Sequence, residues 1–477
     1  MLYKLKPKDV KKAKQHRSRF PEAKNARELA FLILYEVYAL GAYSDNAINR
    51  NLNQSNLEQS EKNLANFWVY SCLERTIALD EIIRKLSNTK IEKLDKRVLV
   101  ILRLGLMQIY FTDTEDYAAV NETVDLSKRF GVSSAKSLVN AILRNALRKI
   151  DPKTYEPKSI FAKTGFNQEL YEHFLAELGS RKAVLELADY FYKEQDLSLR
   201  VRKTSKAKVK AKLEALGYKV KEASFQDDVL RLDLSSKSLH DLKLWQDGFV
   251  LAQGESAILA AKVLEAKANE KILDICAAPG GKTFQLYDLS QGQAKIYAND
   301  LHEYRVKLIE TEAERLGISE ENLSYLNLDA ANKKLWSDYT EKFDRILIDA
   351  PFSALGLIQS TPEIRFNFSE KSVNELKETQ AKILDTAANL LKPGGKLVYS
   401  TCTLNQAENS GQVENFLNKH EEFSLSTNLY TEASKAALDN LLELDPELED
   451  SIKQAQISLW PDKVKAEGFF VSSLEKR

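Results

Sequence analysis

A cysteine and an aspartate, each just beyond an apolar run, are the residues of this sequence best suited to covalent chemistry. Cys402 lies in Tyr399-Ser-Thr-Cys-Thr-Leu-Asn405 and Asp349 in Asp349-Ala-Pro-Phe-Ser353. The runs before them, Lys396 to Tyr399 and Arg345 to Ile348, read as short buried strands. Neighbouring strands of a parallel sheet would bring both side chains to one crevice at its carboxyl edge. A thiol and an acid so placed suit addition to an electron-poor ring. Carbon 5 of a pyrimidine takes a methyl group only after carbon 6 has been attacked. A thiolate can make that attack, while an acid at the ring nitrogen stabilises the developing charge. Most buried cysteines are small core hydrophobes, and Cys72 and Cys276 are read that way. The polar Ser-Thr-Cys-Thr setting sets Cys402 apart.

A second group of residues suits a nucleoside ligand. Ile272-Leu-Asp-Ile-Cys-Ala-Ala-Pro-Gly-Gly-Lys-Thr283 reads as a strand, a loop of small residues and a helix start. Backbone N–H groups there would face a ligand. A phosphate-binding loop needs G-x-x-x-x-G-K-[ST]; Gly281-Lys282-Thr283 supplies its end, but Cys276 stands at the first glycine and Pro279 lies inside. The competing reading is a nucleoside held by carboxylates. The next strand ends at Asp300, where an acid suits ribose hydroxyls. A third acid, Asp329, follows a further apolar stretch and suits an adenine amino group.

These residues need elements to hold them. From about Leu242 onward, short apolar runs alternate with helical segments, the rhythm of a doubly wound parallel sheet. Between Pro21 and Pro152 there is no proline and glycine occurs only at 41, 105 and 131, so this region reads as all-helical. Leu29, Leu32, Ile33, Val37 and Leu40 mark one helix ending at Gly41, Val98 to Phe111 a buried central one, and Leu138, Ile142, Ala146 and Ile150 another. The expected organisation is a basic arm over 1–24, a helical domain over 25–150, a small α/β connecting module over 151–240, and an α/β domain over 241–477. Within the connecting module, Gln168 to Tyr192 reads as helical, Leu197 to Arg202 as a strand and Lys206 to Leu216 as a basic helix.

Composition narrows the class. The chain has 477 residues with 69 basic and 69 acidic side chains, yet residues 1–30 hold ten Lys/Arg against three acids and 196–222 hold nine against three. Such separation can present basic faces to phosphates on a neutral molecule. The arm and the Arg200–Lys221 stretch are therefore expected to make sequence-independent phosphate contacts. No run approaches the roughly 20 apolar residues of a membrane span, and no secretory signal or membrane association is expected. Three distant cysteines without CxxC argue against disulfides and zinc, and favour a reducing cytoplasm. No metal is expected.

On these residues the chain resembles the Sun family of RNA (cytosine-5)-methyltransferases, and within it the branch acting on bacterial 16S ribosomal RNA. Cys276 to Thr283 is similar to the family's cofactor loop, Tyr399 to Asn405 to its catalytic segment, and Glu467-Gly-Phe-Phe470 to its closing Asp-Gly-Phe-Phe, with Glu for Asp. Ala118-Ala-Val-Asn-Glu122 and Leu138-Val-Asn-Ala-Ile-Leu-Arg144 resemble a NusB-like helical RNA-binding domain. The resemblance implies a Rossmann-like methyltransferase domain using S-adenosyl-L-methionine, acting as a monomer on a cytosine extruded from 16S ribosomal RNA. It assigns Cys402 as nucleophile and Asp349 as the acid at the cytosine. It also assigns Cys276, Ala277, Ala278, Pro279, Gly280, Gly281, Lys282, Asp300, Asp329 and Asp349 to the cofactor site. The family usually has Asp-Ala-Pro-Cys-Ser-Gly after the fourth strand, its second cysteine helping to release product; here Phe352 and Ala354 replace the Cys and the Gly. DNA-type enzymes use that Pro-Cys thiol as nucleophile, so this chain cannot work their way. Phe352 cannot exchange protons, but its ring could instead stack near the extruded base. It also keeps a second reading open: an rRNA-binding assembly factor that releases product slowly or has lost turnover.

Overall fold

Helix α1 (Ala26–Leu40) begins where Asn25 accepts the backbone N–H of Glu28 at 2.9 Å and ends at Gly41, whose φ of +69° is the left-handed conformation glycine adopts without strain. It packs with α2 (Lys96–Phe111), α3 (Asp116–Arg129) and α4 (Lys136–Lys149) around one apolar core that includes Phe31, Ile101, Leu102 and Leu143. The charge that the sequence places in the apolar α2 is matched: Arg103 forks onto Asp80 with two contacts of 2.8 Å. This computed structural model describes residues 20–233 and 239–477. Residues 1–19 of the expected arm lie outside them. Phe20 is packed, 5.1 Å from the Tyr35 ring and 5.6 Å from that of Phe130.

The chain divides into two units. The helical one extends through α5 (Gln168–Leu178) and α6 (Arg181–Tyr190) to Lys193, so the expected connecting module is split. Its helical part packs Phe166 on Phe174 and Phe191, while its strands belong to the other unit. The helical unit also takes residues 358–369, a segment far along the chain. There Arg365, fully buried, donates to the carbonyls of Thr164 and Phe191 at 2.9 Å each, and its own carbonyl accepts from Asn167 N–H at 2.8 Å.

The second unit opens with an antiparallel sheet of β1 (Leu197–Val201), β2 (Lys219–Glu222), β3 (Val229–Asp233) and β4 (Val250–Ala252), in the order β2-β3-β1-β4, with α7 (Lys206–Ala215) between β1 and β2. Here one expectation is corrected. Arg200 and Arg202 are 3 % exposed and both grip Asp288, at 2.8 and 2.6 Å, so neither is available to phosphates. Lys206 and Lys210 are taken by Glu222, and Lys221 by Asp196.

The large sheet has eight strands in the order β10-β12-β9-β8-β5-β6-β7, with β11 (Gln456–Leu459) on β12. Strands β5 (Lys271–Asp274), β6 (Lys295–Asn299), β7 (Leu323–Leu326), β8 (Phe343–Asp349) and β9 (Leu391–Thr401) run parallel. β10 (Phe423–Leu425) and β12 (Phe469–Lys476) complete it antiparallel. From β5 the chain winds outward through β6 and β7, then returns to β5's other side as β8. The β5/β8 boundary is thus the topological switch point, where a crevice opens at the strand ends.

Candidate active site

The loop after β5 is fixed by its neighbours. Asp274, 1 % exposed, accepts from the Thr283 hydroxyl at 2.6 Å, tying the strand end to α8 (Gly281–Leu289). Burial pushes its carboxyl up to about 7, with the Thr283 bond opposing that and the charge of Asp349 adding to it. Asn299, at the end of β6, donates to the carbonyls of Ile275 and Leu328 at 2.9 and 3.0 Å, stapling two strand-end loops. Gly280 has φ +110°, and a Cβ there would come 2.5 Å from the Phe284 ring; only glycine fits. The loop Cys276–Gly280 thus presents its backbone at the N-terminus of α8, where donors are unpaired by helix geometry.

The three expected acids sit at strand ends but differ in access. Asp329 is half-buried; one of its carboxylate oxygens takes the Ala331 N–H at 2.9 Å. Asp300 is 1 % exposed, accepts from His302 N–H at 3.1 Å and lies 3.0 Å from Arg305. Arg305 also donates to the Ala278 carbonyl at 2.6 Å, so this guanidinium closes over Asp300 and the loop together. Asp349 pairs with Lys282, Nζ to Oδ2 at 2.8 Å, and accepts from the Ser400 hydroxyl at 3.2 Å.

Cys402 and Asp349 come together because β8 and β9 are adjacent and parallel. Asp349 is in register with Ser400, and Ala350 N–H donates to the Ser400 carbonyl at 3.1 Å. Burial holds the Cys402 thiol well above its ordinary pKa; Lys282 pulls it back, and Asp349 and Glu467 push it further. Lys282 itself, which burial alone would lower, is held raised by Asp349 and Cys402. Cys402 is thus a neutral thiol in a small charged cluster. Cys276 is also a buried, protonated thiol, and Cys72 is fully buried in the helical core.

Phe352 is 5 % exposed, buried much as Cys402 is. Ala354 has φ +64°, the conformation for which the resembling motif carries glycine. Two acids escaped the sequence reading. Glu408, fully buried, accepts from Ser353 N–H and Asn405 Nδ2 at 3.0 Å each and from Gln380 Nε2 at 3.0 Å, linking the loop after β8 to the Cys402 segment. Glu467 stands beside β9 just ahead of β12. Each is a lone acid by spacing; the only signal was the Glu-Gly-Phe-Phe motif. Among the described residues no group of three His, Cys, Asp or Glu could hold a metal ion, and no helix is long and apolar enough to cross a membrane.

Comparison with known proteins agrees with this arrangement. Residues 261–475 match the family model for 16S rRNA methyltransferase RsmB/F, and 24–148 match the NusB family. A probable ribosomal RNA small subunit methyltransferase B from Synechocystis sp. is 32 % identical over 460 residues, covering 95 % of this chain and 99 % of that one. The crystal structure of PH0851 shares the fold with a TM-score of 0.79 at 24 % identity, over 95 % of this chain and 99 % of that one. NSun6 from Pyrococcus horikoshii, crystallised with SFG, shares it with a TM-score of 0.55 at 21 % identity, over 66 % and 99 %. With a NusB-type helical unit, a doubly wound sheet and full-length similarity to such a relative, the chain belongs to the RsmB/F family of 16S rRNA methyltransferases.

Proposed function

We propose that this family member methylates carbon 5 of a cytosine in 16S ribosomal RNA through a covalent adduct on Cys402. It is an S-adenosylmethionine-dependent rRNA methyltransferase, and bound S-adenosylmethionine supplies an electrophilic methyl group. The residues fit that donor by their chemistry. Gly281 and Lys282, in the first turn of α8, offer N–H groups to a carboxylate, while the loop before them, its Ala277 and Gly280 N–H groups spent on backbone carbonyls, would shape the pocket; Asp300 offers acceptors to ribose hydroxyls, and Asp329 to an amino group.

The observation that carries the cytosine assignment is the pairing of Cys402 with Asp349 and Lys282 across the β8/β9 strand ends. As Cys402 Sγ bonds to carbon 6, the thiol proton passes by way of the Asp349 carboxylate to ring nitrogen 3. Carbon 5 then has the electron pair that takes the methyl group. Loss of the carbon 5 proton re-forms the ring double bond and expels the thiolate, and nitrogen 3 gives up its proton through Asp349 to solvent. Lys282 holds the Asp349 carboxylate in place and favours the thiolate when it forms. The helical unit and the residue 1–19 arm would bind rRNA. Phe352 favours a second reading in which the adduct persists, because no thiol stands there.

Bisulfite mapping of 16S rRNA from cells with and without the gene tests the assignment. One cytosine should lose its protection in the deletion, and Cys402→Ala should fail to restore it while still binding S-adenosylmethionine by calorimetry. Full restoration by Cys402→Ala would overturn it.

A further inference from the structure

Once carbon 5 carries both a methyl group and a hydrogen, some base must remove that hydrogen. This rests on the Cys402 reading just given. Phe352 has no titratable group, Asp349 is engaged by Lys282, and Glu408 is enclosed by Ser353, Gln380 and Asn405. Ser353 is itself bound to Glu408 and to Thr403. That leaves one acid in the cluster around the thiol.

We propose that Glu467 is the base that takes the carbon 5 proton and so releases the product from Cys402. Its placement is set by backbone. Phe470 is in register with Thr401, the last residue of β9 and the one before Cys402, and Glu467 lies two residues ahead of the start of β12 at Phe469. Cys402's carbonyl accepts from Gly356 N–H at 3.1 Å and Gly356's carbonyl from Gly468 N–H at 3.0 Å, which locks the residue after Glu467 beside the nucleophile. Lys282 Nζ, paired with Asp349, lies 5.6 Å from the Phe469 ring, so the charged cluster reaches the start of β12 just after Glu467.

The carboxylate is aimed by close contact. Ser256 N–H donates to its Oε2 at 3.3 Å, and a Cβ on Gly254 would meet Oε1 at 2.9 Å, so the chain at 254 is bare where the carboxylate rests. Gln253, next to it, lies against Gly281 of the cofactor loop. Glu467 is half-buried, not sealed, and burial holds its carboxyl above the ordinary carboxylate value. In the release step the carbon 5–hydrogen pair becomes the carbon 5–carbon 6 double bond, the carbon 6–sulfur bond breaks, and the proton goes to Glu467. Glu467 then returns it to the departing Cys402 thiolate.

The full chain is incubated with 16S rRNA and S-adenosylmethionine and resolved on a denaturing gel. Glu467→Gln should transfer about one methyl per enzyme in a single burst, then stall with RNA covalently attached. Glu467→Asp should restore part of the turnover, and Phe352→Cys added to Glu467→Gln should clear the attached RNA. A Glu467→Gln enzyme that turns over as the parent does, or that loses the burst with no attached RNA, overturns the proposal. RNA carrying 5-fluorocytosine separates this from failure of the Cys402 reading. It should be captured by the parent and by Glu467→Gln but not by Cys402→Ala; no capture by the parent would overturn both.

Discussion

Asp300 and Asp274 lie in the same crevice, yet burial has made them answer to different things. Asp300 is held by His302 N–H and Arg305, and a ribose would exchange the guanidinium for its hydroxyls. Asp300→Ala removes charged acceptors worth about 1.5–3 kcal/mol each, so S-adenosylmethionine binding should weaken about tenfold or more in calorimetry. Unchanged affinity would take Asp300 out of the site. Asp274 touches no expected ligand and is placed for stability. Its carboxyl stands near 7 in the folded chain against 3.8 for the free group. The folded state therefore holds this proton more tightly, and the contribution, full below pH 4, is lost as pH rises towards 7. Asp274→Asn, which keeps an acceptor for Thr283, should remove that loss. Its stability relative to the parent, by denaturant unfolding, should improve between pH 4 and 7 and stay level below.

At the scale of elements, parallel pairing made the neighbourhood of Asp349 and Cys402 legible. Asp349 and Cys402 are 53 positions apart, but strand ends of one parallel sheet share an edge, so their side chains could be placed together from sequence. Arg200 and Arg202 were misread because an alternating basic strand looks like a surface, whereas its partner Asp288 lies on α8, 86 positions or more away. No local pattern reports such a pairing. Glu408 and Glu467 escaped for a related reason, since an acid gains its role from what the fold packs round it. Gly356 shows how tight that packing is: a Cβ there would fall 2.0 Å from the Gly468 carbonyl oxygen. Gly356→Ala must part the loop after β8 from the start of β12. Overpacking of this kind costs about 1–3 kcal/mol, and kcat should fall more than that loss of stability alone explains, since Cys402 and Glu467 are both anchored through this contact. A variant with lowered Tm and parental kcat would show the contact to be structural only.

At the scale of the molecule, 69 positive and 69 negative charges cancel, but residues 1–19 keep their excess of Lys and Arg. Deleting residues 1–20 should weaken 16S rRNA binding and flatten the slope of log affinity against log salt, because fewer counterions are released. An unchanged slope would mean the arm contributes nothing to binding. The boundaries read from sequence supposed that each domain is one continuous stretch, and residues 358–369 break that rule. This segment follows the Asp349-Pro351-Phe352 loop directly, yet its Arg365 finds its hydrogen-bond acceptors on Thr164 and Phe191. No single cut therefore yields two self-sufficient proteins. A fragment starting at residue 194 would carry a guanidinium and the apolar Ile364 and Phe368 with nothing to receive them, and the helical fragment would keep an unfilled socket. Recombination that swapped the front half of such a gene for another would have to alter the middle of the catalytic half as well, so the two parts are constrained to be inherited together.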